Sequence, residues 1–543
     1  MSTGYPSRRI GEHPAPLYPF LAAIYPVLAL AAANPHELPP PGRLIAPVTV
    51  SLIFAALVYL LAGLVSRARG KRALLTLAAV ALFAGYGLLA DWGHGLAPRT
   101  ENGDEIALPL TAALAILAVL GVRRLRGELA AAGRFLNRAA AVLLLMPLAG
   151  LGWSRLAVAN TPPPALPLDV AVHPERGAAG DPPPDIYLII LDKYTGSAAL
   201  KRNYGFDNSA IEEALRARGF VVPRDSRSNY TYTPLSLASM LNWQYVRDFE
   251  GYAGREPEEH EVFALVERNR TWQFLRQRGY RFIFFPTAFP TTFRNRYADL
   301  QLPTPAETVT EFETVWLRST PIVPLLRLRC AVTSCDRMRF PYVPEPADRV
   351  DWRFTTLESL ADSAGPHFAF AHFLVPHEPY IYDAACEHRR PYWPLTDSGA
   401  EEEPMKAAYV AQIRCVNTKV LQLVDGLIRR SRVPPIILLQ ADHGHGRLGR
   451  DQPPFRLVPP DRADERAQVF AAYFLPDAPD TLLYDGVSAV NVIRRTLAFY
   501  FGADLPLLAD ETWWSGRVPP YGFTRLPKPA PSEHPGRNPA GTD

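Results

Sequence analysis

Five apolar runs crowd into the first 155 residues, and no other feature restricts the possible folds of this chain so strongly. They are Leu17–Ala33, Leu44–Val65, Ala73–Ala90, Ile106–Val122 and Ala139–Trp153. A helix needs about 20 apolar residues to cross a bilayer, so the series predicts a membrane domain rather than a cleaved leader. The connecting loops carry the second half of the argument. Arg8 and Arg9, then Arg67, Arg69, Lys71 and Arg72, then Arg123, Arg124, Arg126, Arg134 and Arg138 occupy every other loop. The loops between them are poor in basic residues. Basic loops stay in the cytoplasm, which predicts an inside N-terminus and everything after Trp153 outside. Soluble core helices would not explain this alternation of charge.

The remaining chain is organised into further segments. A stretch rich in Pro, Ala and Gly, residues 156–184, reads as an extended tether. Residues 185–505 have the mixed periodicities of an α/β domain. The tail, 506–543, turns to Pro, Gly and charge and is expected to be partly disordered. At 543 residues the chain is too long for one domain, and a net charge of +3 gives no case for nucleic acid. All four cysteines, Cys330, Cys335, Cys386 and Cys415, fall in the outer part, where an oxidising compartment permits disulfides. Pairing each cysteine with its neighbour, Cys330–Cys335 and Cys386–Cys415, is the expected connectivity, with a zinc knuckle as the rival reading.

Three short apolar runs each read as a buried strand. Ile186–Leu191 ends at Asp192, Phe368–Val375 contains His372 and leads to His377, and Ile436–Leu439 leads to Asp442-His443-Gly-His445-Gly446. Open α/β sheets build their sites at the carboxyl ends of such strands. Thr233-Pro234 reads as a helix start, which puts a hydroxyl at a terminus that favours anions. Helical spacing predicts helices over Asn208–Arg218, Tyr409–Arg429 and Ile493–Tyr500. Six of the twelve histidines lie between His367 and His445, and His367 and His388 read as incidental. Asp192, Thr233, Asp442 and His443 thus form a candidate set for a divalent cation, zinc by donor type, with manganese or magnesium as alternatives. A bound cation would make the Thr233 hydroxyl a nucleophile at neutral pH.

These segments resemble the membrane-anchored, sulfatase-like branch of the alkaline phosphatase superfamily, which includes lipoteichoic acid synthases and lipid A phosphoethanolamine transferases. Leu-Ile-Ile-Leu-Asp192 is similar to the first metal-ligand strand of that branch. Thr231-Tyr-Thr233-Pro-Leu-Ser236 is similar to the nucleophile segment, Phe370-Ala-His372-Phe-Leu-Val-Pro-His377 to the segment of substrate-side histidines, and Asp442-His443-Gly444 to the last metal pair. The resemblance implies a five-helix anchor in a bacterial cytoplasmic membrane. It also implies a mostly parallel α/β domain on the periplasmic side, Thr233 as nucleophile, and substrate contacts by His377, His372, Ser236, Lys193 and His445. The implied reaction moves a phospho-headgroup from a membrane phospholipid donor to a glycan or glycolipid acceptor. Hydrolysis of a similar phosphodiester or phosphate, or an inactive membrane-anchored scaffold, stands as the alternative. Formylglycine sulfatases require Cys or Ser followed by x-Pro-x-Arg. Thr233 and Leu237 occupy those positions here, which argues against sulfate-ester hydrolysis. His445 stands where the transferases tend to have Glu.

Overall fold

The structure is a computed structural model. It describes residues 15–34, 41–96, 104–126, 129–160, 168, 170–180, 182–249, 252, 256–302, 311–326, 346–392, 402–447, 454–516 and 521–527. The chain divides into two compact units, one of residues 1–162 and 309–344 and the other of residues 163–308 and 345–543. Cys330 and Cys335, and most of the tail, lie outside the described residues.

The first unit is helical: α1 Tyr18–Ala33, α2 Pro41–Val65, α3 Arg69–Ala84, α4 Tyr86–Leu96, α5 Asp104–Arg124 and α6 Ala130–Asn160. Among the described residues three helices are long and apolar enough to cross a membrane, against the five spans expected: Leu44–Val65, Asp104–Arg124 and Ala130–Trp153. The other two apolar runs depart from the expectation for local reasons. α1 has 16 residues, about 24 Å of helix, short of a hydrocarbon core of about 30 Å. The third run breaks at Gly85 into α3 and α4, bent by 47°, and the pair counts as a fourth span only if taken together. The Asn137 side chain caps α1 by accepting from the Leu17 and Tyr18 N–H groups, both at 2.9 Å. A later segment joins this unit too, since Phe312 and Trp316 pack against Val27 and Ala31.

The second unit is built on a six-stranded sheet. Its strands are β1 Ile186–Leu191, β2 Arg281–Phe285, β3 Leu300–Gln301, β4 His367–Phe373, β7 Ile436–Ala441 and β8 Ala471–Phe474, in the order β3-β2-β4-β1-β7-β8. A separate ribbon pairs β5 Tyr380–Tyr382 with β6 His388–Tyr392. Four pairings in the large sheet are parallel, and β7 with β8 is antiparallel. The sheet is therefore mixed. β1 and β7 are buried along their whole length, which explains why β1, and β7 up to Leu439, are continuous apolar runs rather than alternating ones. Register then fixes the site. Leu191 pairs with Phe373 on one side and Ala441 on the other. Asp192 and Asp442, each the next residue, leave the sheet together.

Helix α7 (Ser197–Tyr204) follows β1, and α8 (Ser209–Arg216) follows at the expected place. Helices Glu402–Arg430 and Ala489–Phe501 cover the other two periodic segments. Helix α9, Thr233–Asn242, is buried at all ten positions. A helix enclosed on every side must satisfy its polar groups internally. Ser236 donates to the Asp442 carbonyl at 2.6 Å, and Asn242 donates to the carbonyls of Ala238 and Leu265. Cys386 and Cys415 form the expected disulfide.

Candidate active site

The start of α9 differs from the sequence expectation in one instructive way. Tyr232, in an extended conformation, is the N-cap, Thr233 is the first helical residue, and no side chain caps the helix. The Thr233 hydroxyl is therefore not spent on its own helix. It faces His443 instead, with Oγ1 3.1 Å from Nε2. His443 Nδ1 lies 3.0 Å from the Gly444 carbonyl. A carbonyl only accepts, so the proton sits on Nδ1 and the Nε2 lone pair is turned to Thr233.

The turn that presents His443 requires glycine. A Cβ on Gly444 would stand 2.1 Å from the Glu465 carbonyl oxygen and 2.6 Å from that of Gln468, and Gly446 has a φ of +72°. Across the sheet, Lys193 adopts a φ of +61°, rare for a residue with a side chain. That turn aims its N–H at Asp442 Oδ1, 3.1 Å away. His443 N–H donates to the same oxygen at 2.8 Å.

Asp192, His372 and Asp442 each bring a ligand atom within 4.8 Å of the others, and all three are buried. Asp192 Oδ1, Asp442 Oδ2 and His372 Nε2 have no hydrogen-bond partner. Unpartnered buried polar atoms are costly, and two buried carboxylates side by side more so. Burial and the Asp192 charge push the Asp442 carboxyl up to about 7. Burial also acts against the Asp192 charge, but His377, His372 and His443 outweigh it and hold that carboxyl below the ordinary range. Burial and Arg466 lower His443. A divalent cation would satisfy all these atoms at once, so the residues present fit one. The donor set, two carboxylates with imidazole nitrogen, is one that a divalent cation accepts.

The other expected site residues gather around this centre in different states. Ser236 is committed to the Asp442 carbonyl. Lys193 Nζ is paired with Glu378 at 2.9 Å. Both nitrogens of His445 are engaged, Nδ1 by the Arg447 N–H and Nε2 by the Tyr380 hydroxyl. His377 and His372 part company. The His372 side chain is fully enclosed, whereas that of His377 is 31% exposed. His377 Nδ1 hydrogen-bonds the Glu378 carbonyl, so that contact occupies one of its two ring nitrogens.

Arg466 has no counterpart in the sequence reading. It is buried, and its guanidinium donates to the carbonyls of Thr231 at 3.0 Å and His445 at 3.1 Å, with Nη2 3.3 Å from His443 Nε2. It thereby ties the segment before Thr233 to the Asp-His turn. Glu378 was equally unforeseen, although it adjoins His377. Its neighbours in sequence gave no sign of the lysine it pairs with, 185 residues away.

No protein-family model matches the chain, and no curated relative matches its sequence. Among solved structures it is similar to the zinc complex of the C-terminal periplasmic domain of EptC from Escherichia coli, at 14% identity and a TM-score of 0.39, covering 61% of this chain and 85% of that one. It is also similar to the integral membrane protein lipooligosaccharide phosphoethanolamine transferase A from Neisseria meningitidis, at 15% identity and 0.39, covering 88% and 92%. A third is the phosphonate monoester hydrolase of Agrobacterium radiobacter, at 15% identity and 0.39, covering 61% and 80%.

Proposed function

We propose that the chain is a zinc-dependent enzyme that moves a phospho-headgroup from a membrane phospholipid to a glycan or glycolipid, with Thr233 as nucleophile, on the periplasmic side of a bacterial cytoplasmic membrane. The observation that carries the reading is the position of Thr233. Its hydroxyl is uncommitted to the helix it begins, lies 3.1 Å from His443 Nε2, and stands beside a buried acid pair in which Asp192 Oδ1 and Asp442 Oδ2 lack partners. Asp192, Asp442, His443 and Thr233 would hold the metal, which supplies charge to acidify the hydroxyl and to offset the phosphoryl oxygens.

Thr233 Oγ, its hydroxyl proton given up to solvent, attacks phosphorus, the bond to the diacylglycerol oxygen breaks, and the headgroup stays on Thr233. The N-terminal N–H groups of α9 face the anion that forms. His377, the exposed imidazole, gives a proton to the leaving oxygen and takes one from the acceptor hydroxyl in the second half. Ser236, Lys193 and His445 act in this reading by holding Asp442, Glu378 and Tyr380 rather than by touching substrate. The second reading, hydrolysis, uses the same first half with water as acceptor.

Intact mass spectrometry of the full chain in detergent, after exposure to bacterial phospholipids, tests the proposal. An added mass on Thr233, absent from Thr233→Ala, is expected, and its value names the headgroup. Cleaved lipid without an adduct, on a zinc-loaded protein, would favour hydrolysis. No adduct, no zinc and no turnover would leave the scaffold alternative.

A further inference from the structure

We infer that His372 is a ligand of the metal rather than a substrate-side histidine, and that Thr287 and Thr292 hold it in that role. The inference rests on the metal-dependent reading above and changes its ligand set. His372 lies in β4, opposite Ile190 of β1, so its imidazole is fixed on the same sheet as Asp192. Its Nε2 is 3.5 Å from Asp192 Oδ2. Two donors at about 2.0–2.2 Å from a tetrahedral zinc stand about 3.4 Å apart. The nitrogen is buried and has no hydrogen-bond partner, so its lone pair or proton is left facing the two carboxylates. The side chain is fully enclosed.

The other ring nitrogen shows how Nε2 is set. Nδ1 is 3.0 Å from Thr292 Oγ1, and that hydroxyl is 2.7 Å from Thr287 Oγ1. Thr287 Oγ1 also accepts from the Phe289 N–H at 3.0 Å. With that acceptance made, the Thr287 proton can point to Thr292, and Thr292 then accepts from Nδ1–H. In that order the chain of hydroxyls carries the imidazole proton on Nδ1 and leaves Nε2 bare, the state a ligand needs. His443 reaches the same state by a different device, its own Gly444 carbonyl. The centre is thus approached by two imidazoles from two strand ends, with Asp192 and Asp442 between them.

Zinc affinity of the full-length chain in detergent, read by competition with a chelator, tests this without reference to turnover. His372→Gln is expected to weaken zinc at least a hundredfold. Thr292→Val, which leaves the ligand in place, is expected to weaken it about 10–100-fold. His367→Gln, a buried histidine at the opposite end of the same strand, is expected to keep wild-type affinity. His372→Gln within threefold of wild type overturns the inference while leaving the metal reading intact. If His372→Gln does not fold, Thr292→Val within threefold does the same. A wild-type chain that takes up no zinc overturns both.

Discussion

Replacing Lys193 by Met should destabilise the outer unit far more than replacing Lys193 and Glu378 together. Both side chains are nearly enclosed, 7% and 8% exposed, and Nζ lies 2.9 and 3.1 Å from the two carboxylate oxygens. An intact buried pair contributes little net, but removing one partner leaves a stranded charge at a cost of about 3–5 kcal/mol. At about 2 °C per kcal/mol for a unit of this size, Lys193→Met lowers Tm by roughly 6–10 °C. Lys193→Met with Glu378→Met recovers most of that loss, since no charge is stranded. The sign of the pH dependence follows from Glu378. Burial pushes its carboxyl up, but His377 and Lys193 outweigh burial and hold it well below its ordinary 4.5. A carboxyl depressed on folding stabilises above its unfolded value, and this stabilisation is lost as pH falls through the folded one. The gap between wild type and Lys193→Met is therefore full at pH 7 and narrows on acidification below about 4.5. Tryptophan fluorescence during heating, with zinc saturating and with zinc chelated, reads both effects. A drop under 2 °C at pH 7, or a double variant as unstable as the single, would refute the reasoning.

Gly444→Ala should fail to accumulate as folded protein, because its Cβ would stand 2.1 Å from a backbone oxygen that no rotamer can move; expression with size-exclusion chromatography checks this. Arg466→Gln should cut turnover about a hundredfold by loosening the tie between Thr231 and the Asp-His turn, with Thr233 still acquiring its adduct slowly. Arg466→Lys should not restore it, since one ammonium cannot span three acceptors; single-turnover kinetics separates the two steps. Cys386→Ser should destabilise the outer unit by about 3–4 kcal/mol, from opening a loop of 29 residues, seen as a lower Tm in thermal unfolding.

The strands that carry the site were legible because their chemistry is local. Ile186–Leu191 is apolar without interruption and stops at an acid, and Ile436–Leu439 is apolar up to Gln440, two residues before one, so both their burial and their ends could be read directly. Thr233 was legible as a helix start, but its cap was misplaced by one residue, since Thr-Pro fits the N-cap and N1 pattern equally well as N1 and N2. The membrane runs were legible as apolar but not as lengths, because a bend at Gly85 depends on how neighbouring helices pack. His372 and His377 could not be told apart in sequence, where only five residues separate them; one is inside a central strand and the other in the loop beyond it. The stretch Pro460–Ala467 gave no local sign of its role: within a run of charges, Glu465 and Arg466 are buried. Their partners, Tyr204, Gly446 and Arg447 for one and Thr231, His445 and His443 for the other, come from distant turns.

The shared alignment of Leu191 with Phe373 and Ala441 would give a cation held by Asp192 and Asp442 a part in assembly as well as in chemistry. A slip of one residue between β1 and β7 would carry an acid away from its neighbour and turn an apolar side chain towards the cation. These strands are separated by some 250 positions of chain, as the Lys193–Asp442 bond illustrates, and parallel pairings of that span form late. Tight uptake of a cation at this site would therefore come only after the central strands have found one register. Such an ion would act as a proofreader of strand alignment: correctly paired chains would be locked, and mispaired ones would stay free to open and try again.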